Sequence, residues 1–130
     1  MMKLKIGEKE LNIKYGYEAT LKTRLLSRMA SKEKPKEDGL EATEDLLLFL
    51  PDLLLVGLQK FHSKEYGFNY DTGEGKEEQI EKMFALIEDY FDSNKEEDAI
   101  MLYNALTEEM MQNGFLKSQF RKEVEKAETA

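Results

Sequence analysis

The chain has 130 residues, of which 41% are hydrophobic and 35% are charged, so it is long enough for one folded domain with its own core. Its formal net charge of −8 argues against a nucleic-acid binder, because such proteins present clustered Lys and Arg side chains to phosphates. The sequence contains no cysteine, which excludes disulfides and thiolate chemistry. We therefore expect a soluble protein with an acidic surface.

The N-terminal residues up to Gly16 predict a β-hairpin. Apolar and polar residues alternate in two short runs, in which the apolar positions are Leu4, Ile6, Leu11, Ile13 and Tyr15. Residues 7–9, Gly-Glu-Lys, supply the turn between the runs. Because an isolated hairpin is marginally stable in water, we expect its apolar face to pack against the rest of the chain.

From Tyr17 onwards the spacing of the apolar residues becomes helical. Tyr17, Leu21, Leu25 and Met29 recur every fourth residue, which predicts one amphipathic helix with these side chains on its buried face. The polar face of this helix carries the basic residues Lys22, Arg24 and Arg28. A charged connector that contains Pro35 follows at residues 31–39.

Residues 46–58, LLLFLPDLLLVGL, are apolar on nearly every side of a helix. Pro51 predicts either a kink in this helix or the start of a second one. The run is interrupted by Pro51 and Asp52 and is too short to cross a bilayer, so we expect no membrane segment. A helix that is apolar all round must be buried all round. This segment therefore forms either the intrachain core or, since a small domain has few other elements with which to cover it, a surface for self-association.

Two further helices are predicted in the second half of the chain. Residues 63–75 form a turn-rich loop whose alternating aromatic residues suggest a short hairpin. One amphipathic stripe then comprises Ile80, Met83, Phe84, Ile87, Tyr90 and Phe91. Ser93 and Glu96 have the spacing of a capping box for the last helix. The stripe of that helix comprises Ala99, Leu102, Tyr103, Leu106 and Met110, before the helix-ending pair Asn113-Gly114.

Beyond Gly114, the apolar residues Phe115, Leu116, Phe120 and Val124 are spaced among Lys, Arg and Glu. The whole pattern predicts a mainly α (α+β) fold, with an N-terminal β-hairpin followed by a bundle of four to five helices. We place a single helical domain at residues 1–114 and an amphipathic C-terminal tail at residues 115–130.

The residue inventory for catalysis is poor. His62 is the single histidine, so no histidine pair can bind a metal ion, and its position near a helix end favours an ordinary structural role. Residues 69–80 superficially resemble a calcium loop, but Glu74 and Ile80 stand where such a loop needs Gly and Glu. Adjacent carboxylates lie on the polar sides of the predicted helices. We predict no catalytic residue, no cofactor and no metal site, and hence a protein that is not an enzyme.

The opening MKLKIGEKELNIKYGYEATLK, the leucine-rich middle and the closing LYNALTEEMMQNGFLKS resemble the tail assembly chaperones of long-tailed phages and prophages of Gram-positive bacteria. The resemblance covers most of the chain and is weakest at residues 31–39 and 63–75. It implies a protein that binds the tape-measure protein, keeps it soluble and assists recruitment of tail-tube subunits. It also implies self-association into oligomers, and a place in the host cytoplasm during assembly but not in the mature virion.

An apolar helical partner of this kind needs an apolar surface on the chaperone. The candidate protein-interaction residues are Leu47, Leu50, Leu54, Leu55, Leu58, Phe115, Leu116 and Phe120. The alternative function is a small acidic phage regulatory or inhibitor protein that acts by DNA mimicry or protein binding. Lysines interleaved among the acidic residues dilute any phosphate-like array. An enzyme with an unrecognised carboxylate site is a third possibility.

Overall fold

The computed structural model describes residues 2–32 and 39–115. A two-stranded antiparallel hairpin precedes five helices in this part of the chain, so the prediction of a mainly α fold that opens with a hairpin is confirmed. The elements are β1 (Met2–Ile6), β2 (Lys9–Ile13), α1 (Tyr17–Lys22), α2 (Leu25–Lys32), α3 (Gly39–Tyr66), α4 (Lys76–Ser93) and α5 (Ala99–Asn113).

Helix α3 is the centre of the fold. It contacts β2, α1, α2, α4 and α5, while β1 contacts α4. The residues of α3 that are at most 3% exposed include Phe49, Leu50, Leu53, Leu54, Leu55, Val56 and Leu58. Of the two possibilities that the sequence left open, these residues form the intrachain core, because the hairpin and the other helices surround α3 within a single chain.

The free edge of β2 is covered by α3. The backbone N–H of Lys14 donates to the carbonyl oxygen of Gly57 at 3.0 Å, and the N–H of Asn12 donates to Nε2 of His62 at 2.9 Å. The buried hydroxyl of Tyr15 donates to the carbonyl oxygen of Leu53 at 2.8 Å. These bonds satisfy edge groups that would otherwise be unpaired. They also give His62 the ordinary structural role that the sequence favours.

Gly57 allows this close approach. A Cβ atom at Gly57 would lie 2.7 Å from Cγ2 of Ile13 and 3.1 Å from the ring of Tyr15, so any side chain there would push the hairpin away from α3. The kink in α3 falls at His62, whose φ of −127° and ψ of 27° are not helical. Helix α3 continues through the buried Pro51, so the alternative that a second helix begins there is wrong.

The single helix predicted from Tyr17 to Met29 is two helices. The hydroxyl of Thr23 donates to the carbonyl oxygen of Ala19 at 2.6 Å, and Arg24 adopts a left-handed φ of 55°. This turn ends α1 and redirects the chain, so the two halves of the predicted stripe diverge. Leu25 and Met29 are buried in the core, whereas Tyr17 and Leu21 are exposed.

Two smaller predictions in the second half of the chain are also corrected. Residues 67–75 form turns instead of a hairpin, because Oδ1 of Asn69 accepts the backbone N–H groups of Asp71 and Thr72 and closes the loop. Ser93 is the last residue of α4 and does not cap α5. The N-cap of α5 is Asp98, whose carboxylate accepts the N–H of Met101 at 2.9 Å.

We predict that Gly57→Ala lowers the free energy of unfolding by about 1–3 kcal/mol, because the new methyl group overlaps Ile13 and overpacking typically has this cost. Alanine is favoured over glycine in a helix by about 1 kcal/mol, so a net loss identifies the steric effect. Urea unfolding followed by circular dichroism measures the change. Gly39→Ala in the same helix is the control, since nothing lies within 4 Å of its Cβ position. A Gly57→Ala variant at least as stable as the control would contradict the prediction.

Candidate protein-binding surface

Apolar side chains from both ends of the described chain meet on one surface, which we name the terminal patch (Tyr17, Leu21 and Phe115). Tyr17 is 68% exposed, Leu21 43% and Phe115 37%. The rings of Tyr17 and Phe115 are edge-on, with centroids 5.1 Å apart. Tyr17 and Leu21 lie one helical turn apart on α1 and therefore share a face. Apolar residues grouped in this way are typical of an interaction site.

Local structure fixes the position of each member of the terminal patch. Tyr15 is buried beneath the hairpin, and the extended residue Gly16 (φ −80°, ψ 155°) then starts α1, so Tyr17 emerges at the surface. Near the end of the described residues, α5 ends at Asn113 and the extended residue Gly114 follows it. A Cβ atom at Gly114 would overlap the carbonyl oxygen of Met110. The glycine therefore permits the turn that brings Phe115 against Tyr17.

A second exposed apolar region lies on the first half of α3, where Leu40 is 77% exposed and Leu48 63%. Leu48 borders a groove of about 400 Å³ between α2 and α3, whose other lining residues are Arg28, Ser31, Lys32, Asp45, Phe49 and Asp52. The guanidinium carbon of Arg28 stands 5.5 Å from the centroid of the Phe49 ring. The remaining exposed large apolar side chains of the described residues are Phe61, Phe84, Ile100 and Met101.

The predicted interaction residues fall into three groups. Leu50, Leu54, Leu55 and Leu58 are at most 2% exposed, so in this conformation they form the core and offer no surface to a partner. Leu47 is half-buried and Phe115 belongs to the terminal patch. Leu116 and Phe120 lie outside the described residues.

Tyr17 and Leu21 were missed by the sequence reasoning, which assigned them to the buried stripe of one long helix. Thr23 gave the available signal, since its hydroxyl competes for helical carbonyl groups. The adjacent left-handed Arg24 has no comparable signal, because Gly or Asn is the usual residue in that conformation.

A charged cluster joins three helices beside the groove. Oδ1 of Asp52 lies 2.8 Å from Nη1 of Arg28 on α2 and 2.9 Å from Nζ of Lys76 on α4. Burial by itself would raise the pKa of Asp52, but hydrogen bonds and charge from Lys76 and Arg28 outweigh it, so the pKa lies below its usual value. Arg28 also donates from Nε to the carbonyl oxygen of Thr23. The cluster therefore fixes the α1–α2 turn against α3 and α4.

The titratable groups in the core are used for structure. Burial, with the Glu109 carboxylate nearby, raises the pKa of the Tyr15 hydroxyl well above its usual value. Tyr15 therefore remains a hydrogen-bond donor to Leu53. Across residues 2–32 and 39–115, no three His, Asp or Glu side chains are grouped so that they could hold a metal ion.

Helix α3 is long and apolar enough to span a membrane, by length and composition only. Its most apolar window of 18 residues has a mean hydropathy of 1.3. Within the chain, 56% of that window is buried, which is typical of the core helix of a globular domain. The helix is longer than the run at residues 46–58 because it includes polar residues on both sides.

Comparison with known protein families, with curated proteins and with solved structures finds no match to this chain. The terminal patch, the charge distribution and the sequence itself are therefore the features that bear on the function of this chain.

We predict that Asp52→Asn lowers the free energy of unfolding at pH 7 by about 2 kcal/mol, since hydrogen bonds to charged groups contribute at this level. The folded-state pKa is lowered, so the stabilisation by Asp52 is present above the unfolded pKa of about 3.9. It is lost as the pH falls through the folded-state pKa. Urea titrations from neutral to acidic pH should therefore show the two proteins converging. Asp71→Asn is the control, because Asp71 is 70% exposed in its pair with Lys22; an equal effect there would contradict the prediction.

We also predict that Leu54→Asp unfolds the domain while Leu48→Asp does not. Leu54 is fully buried and Leu48 is 63% exposed, although both lie on the same helix. An unpaired charge at Leu54 should cost about 4 kcal/mol or more, out of a total stability of about 5–15 kcal/mol for a domain. Circular dichroism and thermal unfolding measure the difference. A folded Leu54→Asp variant would show that Leu54 can reach a surface.

Proposed function

We propose that this chain is a tail assembly chaperone of a long-tailed phage or prophage, a protein without catalytic activity that binds the tape-measure protein and keeps it soluble. The observation that supports this proposal is the terminal patch. Its three apolar side chains remain on the surface although the chain buries most of its leucine-rich segment. The resemblance of the two terminal sequence segments to this family supports the same role.

The terminal patch suits a helical partner. Tyr17 and Leu21 are one turn apart, so they match the apolar stripe of a helix laid across α1. Phe115 supplies a third contact from the C-terminal end of the described chain. A tape-measure protein exposes long apolar helical surface before the tail tube encloses it, and such surface aggregates unless it is covered. Aromatic residues are well suited to such contacts because they present a large rigid area.

The charge of the chain fits the same role. The formal net charge of −8 keeps a complex with an apolar partner in solution and attracts basic partner segments.

We propose that the chaperone acts in the host cytoplasm during assembly and helps to recruit tail-tube subunits. Self-association into oligomers would use the other exposed apolar residues, of which Leu40 and Leu48 are the most exposed.

The test is co-expression with the long helical tape-measure-like protein that this function implies, followed by affinity capture and size-exclusion light scattering. We expect this partner to be soluble only with the wild-type chain. The variant Tyr17→Ser/Leu21→Ser should weaken the complex by about tenfold or more, equivalent to about 1.4 kcal/mol or more, because it removes two apolar contacts. Its circular dichroism spectrum should match that of the wild type, since both side chains are exposed.

The matched control is Leu40→Ser/Leu48→Ser, which removes two exposed leucines from the other apolar region. Retained binding by this control and lost binding by the patch variant would support the terminal patch as the binding site. The reverse result would move the site to the first half of α3. A partner that aggregates even with the wild-type chain would contradict the chaperone function itself.

A further inference from the structure

We propose that the outer edge of β1 binds an extended acidic segment of a partner protein, which adds to the hairpin as a third strand. The outer edge is the side of β1 (Met2–Ile6) that faces away from β2. This inference goes beyond the proposed function, because it concerns a surface other than the terminal patch and a bound strand instead of a bound helix.

The register of the hairpin decides which backbone groups of β1 point away from β2. In an antiparallel pair, every second residue bonds across the ladder, and the backbone groups of the residues between them point outward. The N–H groups of Asn12 and Lys14 point outward from β2, because they donate to α3. Lys3 is opposite Asn12, and Lys5 is opposite Glu10. The backbone groups of Lys3 and Lys5 therefore point outward from β1.

The two edges of this sheet are covered to different extents. Helix α3 accepts both outward N–H groups at the edge of β2. At the outer edge of β1, the side-chain amide of Asn94 donates to the carbonyl oxygen of Lys5 at 2.9 Å. Within residues 2–32 and 39–115, the N–H and carbonyl groups of Lys3 and the N–H of Lys5 have no hydrogen-bond partner. These three groups can continue the ladder to an added strand, which stabilises a two-stranded sheet.

The side chains beside this edge favour an acidic occupant. Lys3 and Lys5 share the exposed face of β1, and an added strand would place every second side chain next to them. Lys3 pairs with Glu10 at 3.3 Å, whereas Lys5 has no ion pair within the described part of the chain. Opposite charges on adjacent strands attract at this range. The net charge of the whole chain acts less strongly there, because charges more than about 10 Å away are screened in physiological salt.

The same lysines disfavour pairing of β1 with the β1 strand of a second copy. Such pairing would place Lys3 and Lys5 beside the same two lysines of the other chain, and like charges on adjacent strands are destabilising. Lysine on an edge strand commonly prevents this kind of association. Lys3 and Lys5 therefore discriminate between occupants, since they repel another copy and attract an acidic segment.

The core side of the edge adds an apolar preference. Leu4 is buried in the core, and Met2 packs against the core but is only half-buried. Because side chains alternate between the two faces of a strand, the positions between the acidic residues of the occupant would lie on the side of Met2. We therefore expect the bound segment to alternate acidic and apolar residues.

The experiment is an NMR titration of the isotope-labelled full chain with a short capped peptide of alternating Glu and Val. We expect a dissociation constant below about 1 mM and slower hydrogen exchange of the Lys3 and Lys5 N–H groups in the complex. The N–H of Leu4 already belongs to the ladder with β2 and is the internal reference. Absence of binding at this concentration, or binding that leaves the Lys3 and Lys5 N–H groups unprotected, would overturn the proposal.

The matched variants are Lys5→Glu and Lys14→Glu, each of which reverses one exposed lysine of the hairpin region. Lys5→Glu should weaken peptide binding by about fivefold, equivalent to about 1 kcal/mol, because it places like charges side by side. Lys14→Glu should have little effect, since Lys14 lies at the edge that α3 covers. A peptide of alternating Lys and Val should bind Lys5→Glu better than the wild type. Equal losses in the two variants would indicate general charge attraction and overturn the proposal.

A peptide methylated on its backbone nitrogens separates strand addition from charge attraction. It keeps its carboxylates but loses its backbone donors, so it should bind about tenfold more weakly, and equal binding would contradict strand addition. Protection of the Lys3 and Lys5 N–H groups that grows with protein concentration in the absence of peptide would assign the edge to a second copy and also overturn the proposal. None of these measurements uses the tape-measure partner, so their failure leaves the proposed function unaffected.

Discussion

The packing of the hairpin against α3 at Gly57 is the constraint on which the rest of the structure depends. The carbonyl oxygen of Gly57 accepts the N–H of Lys14, an approach that the absence of a side chain permits. This close packing covers the free edge of β2 and buries Tyr15. The apolar face of the hairpin and one side of α3 are therefore buried against each other. The chain then leaves this contact through Gly16, beside the side chain of Lys60. Burial of Tyr15 and exposure of Tyr17 are thus two consequences of one packing contact.

Local patterns were sufficient to predict the elements whose partners lie on one side only. The alternation in β1 and β2 and the stripe of α5 specify which face is buried, and the structure buries Leu4, Leu11 and Leu106. The predicted stripe of α4 is correct only in part, because Phe84 is exposed whereas Leu86, which lies outside the stripe, is buried. Helix α3 has no single apolar face, so its burial depends on how many neighbours surround it. Periodicity carries no information about that number, which is why the sequence left self-association open for residues that form the core.

The failures of prediction at helix ends have local physical causes. Ser93 and Glu96 have the spacing of a capping box, but they do not cap α5. Asp98 is the extended residue before α5, and its carboxylate accepts the N–H of Met101. The left-handed turn at Arg24 depends on a contact between two helices, because Arg28 on α2 donates a hydrogen bond to Asp52 on α3. The turn that frees Tyr17 and Leu21 is therefore maintained by tertiary electrostatics, and helical spacing alone could not locate the candidate site.

The size of the terminal patch limits how it can act. Complete burial of an aromatic side chain removes about 150–250 Å² of surface, and Tyr17 and Phe115 are already partly covered. A stable protein interface buries about 800 Å² on each partner, so three side chains define an anchor point and not a whole interface.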